Sequence, residues 1–190
     1  MNDSASGGSA VVRLRLEITG LSPSVWRLVD IQGNILLPEL HKVIQAAMGW
    51  RNEYPACFVT PAGIHPIGEW PEAASGPASR TLAELLDNPK REFAYDYEPD
   101  EPWRVICRLE SERPREAGDG PFPCCVDGAR SAPPDGVGGR EGYADFLRML
   151  DDPDADEDEL DDMLEWAGGD FDPAAFDCAA VNRRLKKFAV

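Results

Sequence analysis

Histidine chemistry has few possible arrangements in this chain, which contains only His41 and His65. His41 lies on a predicted helix, one residue from Leu40 and three from Ile44, and its imidazole is a candidate general base. The sequence shows no serine, cysteine or carboxylate constellation that would pair with it. The pattern therefore favours a hydrogen-bonded, structural His41 where the helix meets a sheet.

The five cysteines are spaced irregularly, and their odd number does not form a disulfide framework. Adjacent cysteines do not readily complete one tetrahedral zinc site, and no Cys-x-x-Cys accompanies Cys124 and Cys125. Cys57, Cys107 and Cys178 lie in apolar patterns typical of reduced core residues. We interpret Cys125 as the anchor of a loop rather than as a metal ligand.

The net charge of −16 is concentrated in one segment. Thirteen Asp or Glu residues and no Lys or Arg lie between Asp151 and Asp177, so the rest of the chain is nearly neutral. Such a field repels phosphate, which argues against nucleic acid as a partner.

The cations of Arg183-Arg184-x-Lys186-Lys187 suit the last turn of a helix, and we expect an intramolecular or subunit contact there rather than DNA.

Four aspartates at alternate positions, Asp152 to Asp158, resemble part of a calcium-binding loop. An EF-hand needs glycine at the sixth position and a bidentate acid at the twelfth, where this chain has Glu157 and Met163. The pattern fits better with acids gathered at the N-terminus of a helix that carries Leu160 and Met163.

The N-terminal elements that position these residues are a hairpin and a helix. Val12–Ile18 alternates apolar and polar residues as a strand with one buried face, and Val25–Ile31 follows at hairpin distance. The apolar spacing then predicts a helix over Leu37–Met48, with Pro38 near its first position and Gly49 at its end.

Further hairpins and one short helix are predicted in the middle of the chain. Ala56–Thr60 pairs with Ile64–Ile67, and Phe93–Tyr97 with Trp103–Leu109. A capping box of Thr81 and Glu84 opens a helix over 82–86, after a Pro/Ser/Gly-rich loop over 69–79. Residues 1–10 are expected to be a flexible tail before a single domain over 11–190.

The C-terminal third is predicted to be a long loop followed by three helices. Residues 111–142 are rich in proline and glycine, and loops of this length are usually functional or pinned. The last helix is predicted to start at Asp172, with Pro173 at its first position and Phe171 and Phe176 as a hydrophobic staple. No run reaches the length of a membrane span, so we expect a cytoplasmic protein.

Several phrases together resemble the plasmid pRiA4b open-reading-frame-3-like family. They are Val25-Trp26-Arg27, Leu40 to Trp50 (LHKVIQAAMGW), Tyr95-Asp96-Tyr97, Gly138-Gly139-x-x-Gly142-Tyr143 and Trp166 to Pro173 (WAGGDFDP). The resemblance implies one α+β domain and little biochemistry, although resolvase-like members suggest DNA transactions. The family pattern has His or Cys where this chain has Ala56, Val105, Ala132 and Val137. This difference suggests either a lost metal site or loosely aligned packing residues.

The resulting prediction is an α+β domain, with a mixed or antiparallel sheet and three C-terminal helices packed on it. We expect a non-enzymatic binding module for an unknown protein partner. The alternatives are an accessory DNA-transaction protein of mobile-element type, and an enzyme or metal-binding protein with its site in the 111–142 loop. No catalytic, metal or cofactor residues are assigned and no cofactor is expected. The candidate functional surface comprises His41, Trp50, Tyr95, Asp96, Trp103, Cys125 and Asp170.

Overall fold

The computed structural model describes residues 10–68 and 79–189, which form one antiparallel sheet with helices packed on it. The strands are β1 (Val11–Ile18), β2 (Trp26–Gln32), β3 (Ala56–Thr60), β4 (Gly63–Ile67), β5 (Glu92–Tyr97), β6 (Trp103–Arg113) and β7 (Cys124–Ala129). The helices are α1 (Leu37–Met48), α2 (Leu82–Leu85), α3 (Gly139–Asp151), α4 (Glu157–Trp166) and α5 (Cys178–Leu185), which continues as a 3₁₀ helix, Lys186–Phe188. The expected tail and the 69–79 loop lie almost wholly outside the described residues.

The N-terminal hairpin lies inside the sheet rather than at its edge. The strand order is β4-β3-β5-β6-β1-β2-β7, and every neighbouring pair is antiparallel. Strand β1 therefore pairs on one side with β2, where Val11 faces Gln32, and on the other with β6, where Val11 faces Arg113. The predicted α+β class is confirmed, as are the three predicted hairpins.

Helix α1 covers the inner face of the sheet, as predicted from the alternation of apolar residues in β1 and their helical spacing in α1. Leu14, Leu16 and Ile18 of β1 are buried, and α1 buries the stripe that begins with Leu37 and Leu40. Burial of one such side chain stabilises the fold by about 1.5–3 kcal/mol. The helix ends at Gly49, whose left-handed backbone (φ 88°) favours glycine.

The sequence-based assignment of residues 111–142 to one long loop is wrong. Strand β6 runs on to Arg113, β7 pairs with β2 inside the segment, and α3 already begins at Gly139. Strand β7 has no clean alternation of apolar and polar residues, because it is an edge strand with a register shift and buries little besides Cys125. Only the shorter connections 114–123 and 130–138 remain loops.

The three predicted C-terminal helices are present, but the last one starts later than predicted. Asp177, not Asp172, is its N-cap, accepting a hydrogen bond from Ala180 N at 3.0 Å. Asp172 and Pro173 instead belong to a turn, in which the Asp172 carboxylate accepts from Ala174 N. Both aspartates are acceptable caps. The carbonyl groups of Asp172, Pro173 and Ala175 accept hydrogen bonds from Ser131, which holds this segment as a turn, so the helix begins only at Asp177.

The residues of the predicted staple have other roles. Phe171 packs on Tyr143 and Phe146, with ring centroids 6.4 and 5.2 Å apart, and so ties the turn to α3. Phe176 stacks over the guanidinium of Arg27, 4.9 Å from its ring centroid. Helix α4 buries none of its residues fully, and it presents its acids to solvent.

Within the described residues, no helix is both long and apolar enough to cross a bilayer.

Candidate binding cleft at the carboxyl end of α1

The last carbonyl groups of α1 are bound by two arginines from distant parts of the chain. Arg184 Nε, from α5, donates to the carbonyl oxygen of Ala46 at 2.8 Å. Arg27 Nε, from β2, donates to that of Ala47 at 3.1 Å. Terminal carbonyls lack partners inside their own helix, and the helix dipole makes this end negative. The end of α1 therefore draws both cations to one place.

Arg27 is a structural clamp whose charge is only partly balanced. It is 3% exposed, and its Nη1 donates to the carbonyl oxygens of Trp26 (2.7 Å) and Ala129 (3.0 Å). The described residues offer it no carboxylate at ion-pair distance. Burial lowers the pKa of Arg27 to about 10, and the nearby Arg184 adds to that lowering. The guanidinium thus remains charged at neutral pH while it joins β2, β7 and α1.

Arg184 donates one hydrogen bond, through Nε, and the two terminal nitrogens of its guanidinium group remain available. It is half-buried, and the described residues supply no acceptor for its two terminal nitrogens. Burial, followed by repulsion from Arg183, lowers its pKa from the ordinary value, so a negative partner would stabilise the charged form. An arginine fixed at Nε with free terminal nitrogens is pre-oriented to hold a carboxylate or phosphate group.

A cleft of about 340 Å³ lies beside Arg184 and is lined by cations, amides and apolar groups. Its lining residues are Lys42, Gln45, Ala46, Trp50, Arg51, Asn52, Arg184, Lys187 and Phe188. Two of the four cations have carboxylate neighbours outside the cleft: Lys42 pairs with Glu39 at 2.8 Å and Arg51 with Glu53 at 3.1 Å. Lys187 is exposed and has no ion pair among the described residues. We call this feature the basic cleft.

Trp50 and Phe188 give the basic cleft an apolar component. The Trp50 ring is fixed by its Nε1, which donates to the Pro133 carbonyl oxygen at 3.0 Å, and by stacking on Tyr97 at 4.9 Å. Trp50 is only 6% exposed and Phe188 is half-buried, so both present limited apolar surfaces. Pockets of this composition orient a ligand by a few polar contacts and hold it by apolar burial.

A buried polar network behind the basic cleft fixes its wall. His41 Nδ1 lies 2.7 Å from the Tyr95 hydroxyl, and His41 Nε2 lies 2.6 Å from Asn52 Oδ1. Because an amide oxygen only accepts, Nε2 carries the proton and Nδ1 accepts from Tyr95. Gln45 completes the network by donating to the Tyr95 hydroxyl at 2.8 Å and accepting from Asn52 N at 3.0 Å.

Every polar atom of the His41 ring is therefore used within the protein. Burial lowers the pKa of His41, so the neutral ring is the folded form at neutral pH. Its contacts agree with the structural role predicted from the sequence. The network holds Gln45 and Asn52, two lining residues, in fixed positions.

Of the seven residues predicted as a functional surface, only Trp50 lines the basic cleft. His41 and Tyr95 lie directly behind it, and both are buried. The other members of the set lie elsewhere. Asp96 faces the opposite side of the sheet from Tyr95 and pairs with Arg104 at 2.6 Å.

The remaining three residues lie farther along the chain and do not converge. Trp103 is 1% exposed and packs edge-on against Tyr143, with 6.0 Å between ring centroids. Cys125 is buried under α5, where its main-chain N–H donates to Asn182 Oδ1 at 2.8 Å. Asp170 is exposed in the turn after α4. Most of the set therefore supports the fold and presents little surface to a ligand.

The four positions where the family pattern has His or Cys lie in two places. Ala56 and Val105 are fully buried on the inner face of the sheet, opposite Tyr97 and Tyr95 respectively. Ala132 and Val137 are also buried, in the 130–138 loop. In the described part of the chain, no group of three or more His, Cys, Asp or Glu residues could hold a metal ion.

The cations of the basic cleft were not recognised as one site from the sequence. The sequence predicts an intramolecular or subunit contact for Arg183-Arg184-x-Lys186-Lys187 but not the surface that it meets. In the structure Arg184 binds the end of α1 within the same chain, and 138 positions separate it from Ala46. This cationic cluster, within a very acidic C-terminal third, is the feature of the sequence that indicates the basic cleft.

Comparison with known proteins places the chain among proteins of the same fold. The "Uncharacterized protein y4hQ" of Sinorhizobium fredii (strain NBRC 101917 / NGR234) is 32% identical over 188 residues, which cover 95% of this chain and 93% of that protein. The crystal structure of MM3350, a protein of unknown function from Methanosarcina mazei Go1, matches with a TM-score of 0.75 and 33% identity. That match covers 90% of this chain and 97% of the archaeal chain. The family described as "Plasmid pRiA4b ORF-3-like protein" matches residues 10–180, and the chain belongs to this family.

Proposed function

We propose that this protein is a non-enzymatic binding module that holds an acidic segment of a protein partner in the basic cleft. The observation that carries the proposal is the charge of the lining. Four cations and no carboxylate line the cleft, although the whole chain has a net charge of −16, and two of these cations, Arg184 and Lys187, have no carboxylate partner among the described residues. Segregation of charge against the overall balance is typical of a surface that attracts one class of partner.

The lining groups favour holding a ligand rather than transforming it. A bound group would meet two amides, four cations, an alanine and two aromatic rings. The lining has no Ser, Cys, His, Asp or Glu, and its two lysines are exposed rather than desolvated as a nucleophilic lysine usually is. Both ring nitrogens of the nearby His41 are bound by Tyr95 and Asn52. Binding without chemistry is the function that such a lining supports best.

A protein partner fits the basic cleft better than nucleic acid does. Nucleic acid requires many phosphate contacts, whereas the acidic segment between Asp151 and Asp177 would repel a long phosphate chain. A peptide can instead place one carboxylate on the Arg184 fork and an apolar side chain against Trp50 and Phe188. Tryptophan and arginine are also the residues that most often dominate the energy of protein interfaces. The five free cysteines accord with action in the reducing cytoplasm, where we place this function.

The test is capture of a partner from a lysate of the native host, with variants that separate the cleft from the rest of the surface. Lys187→Glu places a negative charge in the cleft at an exposed position and leaves the core unchanged. Lys90→Glu is the matched control, because Lys90 is 79% exposed and lies in the turn before β5. We expect Lys187→Glu to weaken partner binding by about tenfold or more, equivalent to about 1.4 kcal/mol, and Lys90→Glu to leave it unchanged.

A second measurement defines the chemistry of the captured segment. An array of synthetic peptides derived from the partner should show binding that requires an Asp or Glu close to an apolar residue. Equal capture by both charge variants would refute the basic cleft as the binding site. A different result is that the unmodified protein retains duplex DNA and no protein, and that Lys187→Glu loses this retention. That result would refute the proposal of a protein partner.

A further inference from the structure

Two cysteines meet where α5 packs against β7. The thiol of Cys178 donates to the carbonyl oxygen of Cys125 at 3.4 Å, and the thiol of Cys125 donates to the carbonyl oxygen of Asp127 at 3.3 Å. Asn182 binds both residues, since its Nδ2 donates to the Cys125 carbonyl oxygen at 2.9 Å and to the Cys178 sulfur at 3.5 Å. Its Oδ1 accepts from Cys125 N at 2.8 Å. One asparagine thus fixes two thiol-bearing residues that lie 53 positions apart.

The two thiols differ in their surroundings. Cys178 is half-exposed at the first position of α5, where the positive end of the helix dipole and the Asn182 amide face its sulfur. Cys125 is 5% exposed. Burial, strengthened by Cys178, raises the pKa of the Cys125 thiol to about 12, so this thiol remains protonated. Cys178 is therefore the thiol that a small reagent meets first.

Cys124, the adjacent residue, belongs to a different environment. Successive residues of a strand point to opposite faces of the sheet. Cys124 pairs in register with Asp30, whose carboxylate binds Arg13 at 2.6 Å on the outer face. The chain thus offers a built-in control, with one cysteine facing α5 and its neighbour facing away.

We propose that Cys178 and Cys125 are a modification site at which hydrogen peroxide forms an intramolecular disulfide. In the first step Cys178 gives up its proton and the thiolate attacks one peroxide oxygen. The O–O bond breaks, the leaving hydroxide takes up that proton to become water, and Cys178 becomes a sulfenic acid. In the second step Cys125 sulfur attacks the Cys178 sulfur, and the S–O bond breaks. The hydroxyl group leaves as water with the Cys125 proton. Two thiols and one peroxide yield one disulfide and two waters, with the sulfurs oxidised and the peroxide reduced.

The bond would join the first turn of α5 to the edge strand β7. Helix α5 carries Arg184, and its 3₁₀ extension carries Lys187, so the disulfide would anchor the element that forms one side of the basic cleft. A crosslink between residues 53 positions apart also restricts the unfolded chain, which generally raises thermal stability. This inference does not depend on the proposed binding function.

The experiment treats the reduced full-length protein with a small excess of hydrogen peroxide, followed by intact-mass measurement and thiol titration after unfolding. We expect a loss of two thiols and a mass decrease of about 2 Da. Because no Lys or Arg separates Cys124 from Cys125, tryptic peptides cannot tell them apart, and variants must do so. Cys124→Ser should still form the disulfide, whereas Cys178→Ser and Cys125→Ala should not.

Thermal unfolding of each reduced variant, followed by circular dichroism, establishes that it is folded before oxidation. If Cys125→Ala fails to fold, Cys178→Ser and Cys124→Ser still decide the pairing. A disulfide lost in Cys124→Ser but retained in Cys178→Ser would overturn the proposal. So would a mass gain of about 32 Da from sulfinic acid on Cys178 without any disulfide, or five intact thiols after treatment.

Discussion

Truncation of Leu185 tests whether α5 is an integral part of the domain. Leu185 is 0% exposed, and its helix packs on both α1 and β7. Leu→Ala at a fully buried site costs roughly 2–5 kcal/mol, through lost transfer energy and the cavity left behind. That is a large share of the roughly 5–15 kcal/mol that stabilises a typical domain. For a chain of this size each kcal/mol lowers the melting temperature by about 2–4 °C, so Leu185→Ala should lower it by about 4–20 °C.

The assay is thermal unfolding followed by circular dichroism, with Lys187→Ala as the matched control. Lys187 lies two residues farther on, is exposed, and has no ion pair among the described residues. Its truncation should change the melting temperature by no more than about 1 °C, because surface substitutions usually stay within about 0.5 kcal/mol. Equal and negligible effects of the two substitutions would mean that α5 is not docked, and would also remove the basis of the basic cleft.

Three further predictions concern pH, metal and nucleic acid. Burial holds the pKa of His41 below its ordinary 6.5, so the unfolded chain takes up a proton first and stability should fall as pH drops below about 6.5. Urea unfolding at pH 7 and pH 5 should show a smaller fall for His41→Gln, and an identical fall would contradict the assignment. Elemental analysis should find no stoichiometric zinc, because Ala56 and Val105 stand where the family pattern has ligand-type residues; about one zinc per chain would direct attention to Cys124 and Cys125. Random duplex DNA should not bind at physiological salt in an anisotropy titration, and micromolar affinity that weakens with salt would contradict this.

The sequence predicts elements well where local rules and packing agree. Helix α1 has an apolar stripe, a proline in its first turn and a glycine in the left-handed conformation after its end, and the structure confirms all three. The capping box of Thr81 and Glu84 likewise forms as predicted, with the Thr81 N–H donating to Glu84 at 2.7 Å. Each of these signals lies within a few residues of the structure that it specifies.

Prediction fails where the deciding contact is distant. Strand β7 is specified by pairing with β2, not by its own alternation. The start of α5 at Asp177 rather than Asp172 depends on Ser131, about 40 positions earlier, which binds the carbonyl groups of the 172–175 turn. The basic cleft combines Lys42 and Arg51 with Arg184 and Lys187, and no local pattern relates the first pair to the second.

The position of the N-terminal hairpin inside the sheet has a consequence for how the chain is made. Strands β1 and β2 and helix α1 are synthesised before their later partners, since β1 needs β6 as its second neighbour and β2 needs β7. The hydrogen bond from Arg184 to the Ala46 carbonyl oxygen cannot form until Arg184 is synthesised, 138 residues later. Contacts this distant in sequence are slow to form, and the apolar faces they cover are exposed in the meantime. During synthesis the hairpin and α1 should therefore leave apolar surface exposed until α5 emerges and docks.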